Sequence, residues 1–131
     1  MVSQPLVLLP GLLNDARLFA QQVAALRDLA GETLVPELWH DDDAAALARR
    51  VLAAAPQRFA LAGFSMGGYV AFEMLRQAPQ RITRLALIDT SARADSAEQR
   101  KRREALIAQS QIGQFKGVTA RLLPLLVHKD R

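Results

Sequence analysis

Residues 58–72 read RFALAGFSMGGYVAF. An apolar run ends at Gly63, a helical pattern starts near residue 66, and Ser65 stands between them with Gly67 and Gly68 close behind. A short apolar run bounded by glycine reads as a buried strand, and the change of period after it marks a strand-to-helix turn. Three readings of Ser65 are open at this point. It is a nucleophile raised on a G-x-S-x-G turn (63–67), the replaced middle glycine of a G-x-G-x-x-G dinucleotide loop (63–68), or an ordinary turn residue.

The flanking sequence repeats the same alternation. PLVLL (5–9) is a strand candidate ended by Pro10-Gly11. Asn14 or Asp15 then caps a helix with Phe19, Val23, Leu26 and Ala30 on one face, which Gly31 is expected to end. TLVPEL (33–38) reads as a second strand, although Pro36 counts against a central position. HDDD (40–43) supplies carboxylates for a helix start. Ala44, Leu47, Ala48, Val51, Leu52 and Ala55 then recur at helical spacing before Pro56. Residues 66–78 form a third helix and ITRLALID (82–89) a fourth strand, closing at Asp89-Thr90-Ser91. Successive strand–helix–strand units predict an α/β fold: a parallel sheet with helices on both faces. The near-continuous apolar character of the first, third and fourth strands agrees, since parallel strands are expected to be buried on both sides.

After residue 92 the pattern changes. Residues 95–112 look helical with one highly charged side, and VTARLLPLLV (118–127) is apolar around Pro124, with no further strand signal. The expected division is therefore 1–92, a sheet core, and 93–131, a helical segment.

Composition narrows the classes. Of 131 residues half are hydrophobic and 23% charged, which is ordinary globular usage, and cysteine is absent. No disulfide framework or thiolate metal site can form, and the start MVSQPLVLLPGLLND lacks the basic flank and apolar length of a signal peptide or membrane span. A cytoplasmic protein with no membrane partner is expected. The formal charge is +4, and the four bases at 100–103 are flanked by Glu98 and Glu104 without interleaved aromatic residues. That is a solvated helix face rather than a nucleic-acid site.

The serine turn has a chemical logic. A tight turn after a strand lifts the central side chain clear of the sheet, and glycines at 63 and 67 avoid Cβ collisions there. The backbone N–H of Met66, at the positive end of the following helix, and that of Leu12, in the loop after the first strand, are the candidate oxyanion donors. Against the dinucleotide reading, Ser65 occupies the position where glycine lets pyrophosphate approach, and the motif follows the third strand rather than the first. In its favour, Asp89 ends the next strand, where a ribose-binding acid would sit.

LVLLPGLLNDARLF (6–19), LAGFSMGGYVAFEML (61–75) and RLALIDTSAR (84–93) together resemble the N-terminal half of an α/β-hydrolase fold protein, most closely the bacterial esterase-like members with a helical cap. The likeness covers essentially the whole chain. Gly68, the second glycine after the elbow, is part of it. It implies a serine hydrolase of esters, thioesters or related acyl compounds, with Ser65 as nucleophile, a small acyl substrate and no metal or cofactor. It is not specific among esterases, thioesterases, C–C hydrolases, lyases and haloperoxidase-like enzymes. Pro10-Gly11 replaces the His-Gly of many relatives but leaves the Leu12 N–H in place. The resemblance also implies Ser, then acid, then His in chain order, the last two beyond a cap that 93–131 would begin. His40 and Asp89 are weak substitutes, His128 weaker still, and Trp39 reads as packing. On this reading the chain is an incomplete core from a protein of about 220–270 residues, inactive alone, with an open sheet edge suited to association. A non-catalytic module of the same fold is the alternative.

Overall fold

The computed structural model describes residues 3–113, 120 and 123–130. The chain falls into two compact units, Met1–Ala92 and Arg93–Arg131. In the first, strands β1 (Gln4–Leu9), β2 (Ala30–Leu34), β3 (Phe59–Phe64) and β4 (Ile82–Ile88) form one sheet in the order β2-β1-β3-β4. Every pairing is parallel. Chain order reverses direction across the sheet between β1 and β3. Such a switch point opens a crevice at the carboxyl ends of the two strands, where ligands bind in open α/β sheets.

Alternation along the strands assigns the two faces. Val7, Leu9, Phe59 and Leu61 point to one side and are buried against helices α2 (Ala44–Ala54) and α3 (Met66–Gln77), through Leu47, Ala48, Val51, Val70, Ala71 and Met74. Leu8 and Ala62 point to the other, under Phe19 of a 3₁₀ turn (Ala16–Phe19) and Val23 of α1 (Ala20–Ala25). Helices therefore cover both faces, as the sequence predicts. Fully burying each of the Val, Leu, Phe and Met side chains among them stabilises by roughly 1.5–3 kcal/mol, so the larger α2–α3 face dominates.

Local signals place the helix starts. The Asp43 side chain accepts from the Ala46 N–H at 2.9 Å to cap α2, and Asp15 accepts from the Arg17 N–H at 2.9 Å to cap the 3₁₀ turn. At the opposite end of the sheet, the Gln4 side-chain amide donates to the Thr83 hydroxyl, which donates to the Phe59 carbonyl at 3.0 Å.

Two expectations need correction. The first helix does not run to Gly31. It ends at Ala25, and Ala30 and Gly31 already belong to β2, whose Ala30 pairs with Gln4. The second strand is Ala30–Leu34 rather than 33–38, because it stops before Pro36, which cannot donate to a ladder. In the second unit, α4 (Ala97–Ser110) starts at Ser96 with a reciprocal capping box to Gln99 and has no buried residue. Of the apolar stretch 118–127, Leu123–Leu126 forms one helical turn, while 118, 119, 121 and 122 lie outside the described residues. No helix among the described residues is long and apolar enough to cross a membrane.

Candidate active site

Ser65 occupies the single residue between β3 and α3, with φ 52° and ψ −117°. A non-glycine residue in such a region costs about 1–3 kcal/mol and persists only where its surroundings enforce it. The surroundings here are backbone. A Cβ on Gly63 would lie 2.7 Å from the Gly67 carbonyl oxygen and 2.9 Å from the Gly68 Cα. A Cβ on Gly67 would lie 2.7 Å from both the Leu9 carbonyl carbon and the Pro10 carbonyl oxygen. The first glycine lets the helix turn back tightly on β3, and the second lets it press on the end of β1. The Ser65 N–H donates to the Ile88 carbonyl at 3.0 Å, which ties the turn to β4 as well.

The loop after β1 is drawn to the same place. Its turn is closed by the Asn14 N–H donating to the Gly11 carbonyl at 3.2 Å, and Leu13 takes a positive φ of 60°. A Cβ on Gly11 would lie 3.1 Å from the Phe64 ring, so this loop abuts the residue before Ser65. Leu12 is exposed in this turn. Met66 opens α3, and its N–H is among the helix donors that have no intrahelical acceptor, at the positive end of the macrodipole. The structure thus brings Ser65, Met66 and the Leu12 loop together at the β1/β3 switch point.

Asp89 directly follows Ile88, whose carbonyl holds the Ser65 N–H, and it is exposed with φ 46°. His40 is not drawn into this group. It stands six residues beyond the end of β2, and its Nε2 lies 3.1 Å from the Glu37 carboxylate. β2 itself is two strand spacings, about 10 Å, from β3. Trp39 is 58% exposed and tilts against the His40 ring, so it is not core. Nearby, the Arg50 guanidinium beside Asp41, at 2.8 Å, holds that carboxyl below its ordinary range. Among the described residues no cluster of three His, Asp or Glu side chains could hold a metal ion.

The sequence reading missed one participant, Thr90. Its hydroxyl donates to the Ser65 carbonyl at 2.8 Å. No local sequence signal marks it: only β4 lying beside β3 in the sheet brings the segment after β4 against the serine turn.

A parallel sheet reversing at β1/β3, with a strained serine between β3 and a glycine-opened helix, defines the α/β-hydrolase fold. The chain belongs to the thioesterase domain family, whose model matches residues 5–127. Among solved structures it is similar to a thermophilic esterase from Thermogutta terrifontis, with 27% identity and a TM-score of 0.71 over 84% of this chain and 45% of that one. An extracellular α/β-hydrolase from a Paenibacillus species shares the fold at 23% identity and a TM-score of 0.68, over 92% of this chain and 57% of that one. A marine microorganism esterase shares it at 16% identity and a TM-score of 0.62. The chain therefore spans about half the length of these proteins. No curated protein matches it at a significant level.

Proposed function

We propose that this chain carries the nucleophile and oxyanion hole of a serine hydrolase acting on esters, thioesters or related acyl compounds. The observation that carries the proposal is the strained conformation of Ser65, φ 52° and ψ −117°, between β3 and α3. The family match and the likeness to the Thermogutta esterase support acyl hydrolysis as the class.

In the proposed reaction the Ser65 Oγ attacks the acyl carbon as a base takes its proton. The carbonyl oxygen becomes an oxyanion received by the N–H groups of Met66 and Leu12. Collapse expels the alcohol or thiol, which takes a proton from the conjugate acid of that base. Water then repeats the sequence on the acyl-Ser65 ester and releases the carboxylate. Neither His40, engaged with Glu37, nor Asp89 is assigned as base. Residues 1–131 alone are therefore expected to acylate slowly and not to turn over. The similar solved structures are about twice as long as this chain, so the acid and His are assigned to a segment equivalent to their remainder, and 93–131 to the start of a cap. The dinucleotide reading has no comparable support, because Ser65 and its tight turn occupy the place where a pyrophosphate would approach.

The test is turnover of a p-nitrophenyl ester and an acyl thioester by the full polypeptide. Ser65→Ala is expected to lower kcat by 10⁴-fold or more while leaving the circular dichroism spectrum and urea midpoint within error. Substantial turnover retained by a folded Ser65→Ala protein overturns the proposal.

A further inference from the structure

We infer that Thr90 is a positioning residue for the oxyanion hole, acting through the Ser65–Met66 peptide; this rests on the reading of Ser65 given above. Both sides of Ser65 are tied to the end of β4. Its N–H donates to the Ile88 carbonyl at 3.0 Å, and its carbonyl accepts from the Thr90 hydroxyl at 2.8 Å. The same carbonyl accepts from the Gly68 N–H at 2.9 Å. A trans peptide is planar, so its C=O and N–H point in opposite directions. Fixing the Ser65 carbonyl with two donors on one side therefore fixes the direction of the Met66 N–H on the other. That N–H is the donor assigned to the oxyanion.

The Thr90 side chain is itself held in place. A Cβ on Gly68 would lie 2.6 Å from Thr90 Cγ2 and 2.7 Å from its Cβ. Thr90 thus fills the space that the second glycine leaves open, and its rotamer has little freedom. This accounts for Gly68, which a serine turn alone does not require. The threonine methyl seats the side chain against α3, and the hydroxyl then reaches the Ser65 carbonyl.

Thr90→Ser keeps the hydroxyl, and Thr90→Ala differs from it by that oxygen alone. Thr90→Val keeps the methyl without the hydroxyl and serves as a second hydroxyl-free variant should Thr90→Ala not fold. In the full polypeptide, with a p-nitrophenyl ester, the hydroxyl-free variant is expected to lose about 10–100-fold in kcat, since a misdirected oxyanion donor forfeits much of its effect. KM is expected to stay within about twofold, because the Met66 N–H that Thr90 positions serves the oxyanion of the transition state rather than the bound substrate. Thr90→Ser should recover kcat to within about threefold of wild type. Amide exchange at Ser65 and Gly68, followed by NMR, should accelerate at least about tenfold without the hydroxyl and return in Thr90→Ser. Wild-type kcat without the hydroxyl, or an equal loss in Thr90→Ser, overturns the inference. Should the wild-type polypeptide prove inert, the Ser65 reading fails and exchange decides: unchanged exchange at Ser65 and Gly68 overturns the clamp, and accelerated exchange upholds it.

Discussion

Ser65 holds its conformation because three separate segments converge on it. β3 leads into it, α3 leaves across Gly67, and the end of β4 binds its N–H. Gly67, like Gly63, leaves no room for a side chain, since a Cβ there would meet only backbone, 2.7 Å from the Leu9 carbonyl carbon and from the Pro10 carbonyl oxygen. Backbone cannot rotate aside as a side chain can. Gly67→Ala is therefore expected to destabilise by about 2–4 kcal/mol, read as a lowered urea midpoint at unchanged slope. A loss within 0.5 kcal/mol, the range of an ordinary surface change, would show that the approach of α3 to β1 is looser than described. The G-x-S-x-G spacing made this residue legible, because glycine is the only side chain that fits such a turn. Thr90 was not legible. Its role depends on β4 lying beside β3, a fact of sheet order that no local pattern encodes.

At the scale of elements, Arg81 does more than its place in the sequence suggests. Its guanidinium donates to the carbonyls of Leu52 and Ala55 at 2.9 Å, Pro56 at 2.8 Å and Gln57 at 3.2 Å, and lies 5.7 Å from the Phe59 ring centre. The last carbonyls of α2 have no helical partners, and their negative dipole end favours a cation. One arginine thus ends α2 and joins it to the start of β4. Arg81→Ala is expected to cost about 2–4 kcal/mol, with Arg81→Lys recovering under half, since a single ammonium cannot reach four carbonyls. Urea unfolding of the three proteins checks this; equal midpoints would contradict it. Strand and helix existence was readable from period and punctuation, and β3, α3 and β4 fell within a residue or two of expectation. The first helix and second strand were misplaced because Ala30 extends an apparent helical face and Gly31 resembles the glycine that ends a helix. Only pairing with Gln4, 26 positions earlier, makes them strand.

For the whole molecule, the core lies entirely between Val7 and Ala78 among the described residues. Among the described residues β4 is the outer strand on its side of the sheet, and its Leu85, Leu87 and Ile88 are 41–45% exposed. An apolar edge of this kind templates association. The 131-residue chain is therefore expected to show a light-scattering mass that rises with concentration above 14.4 kDa. Leu87→Lys should hold it at monomer mass to higher concentration with little change in unfolding midpoint, and indifference of the mass to that substitution would remove the edge from the account.

The most direct measurement is intact mass spectrometry of this chain after incubation with a fluorophosphonate, with and without imidazole as an external base, and mapping of the adduct. A single adduct on Ser65 is expected, forming slowly, accelerated by imidazole and absent from Ser65→Ala. No adduct under either condition, or an adduct that persists in Ser65→Ala, would contradict the assignment of Ser65 as the nucleophile.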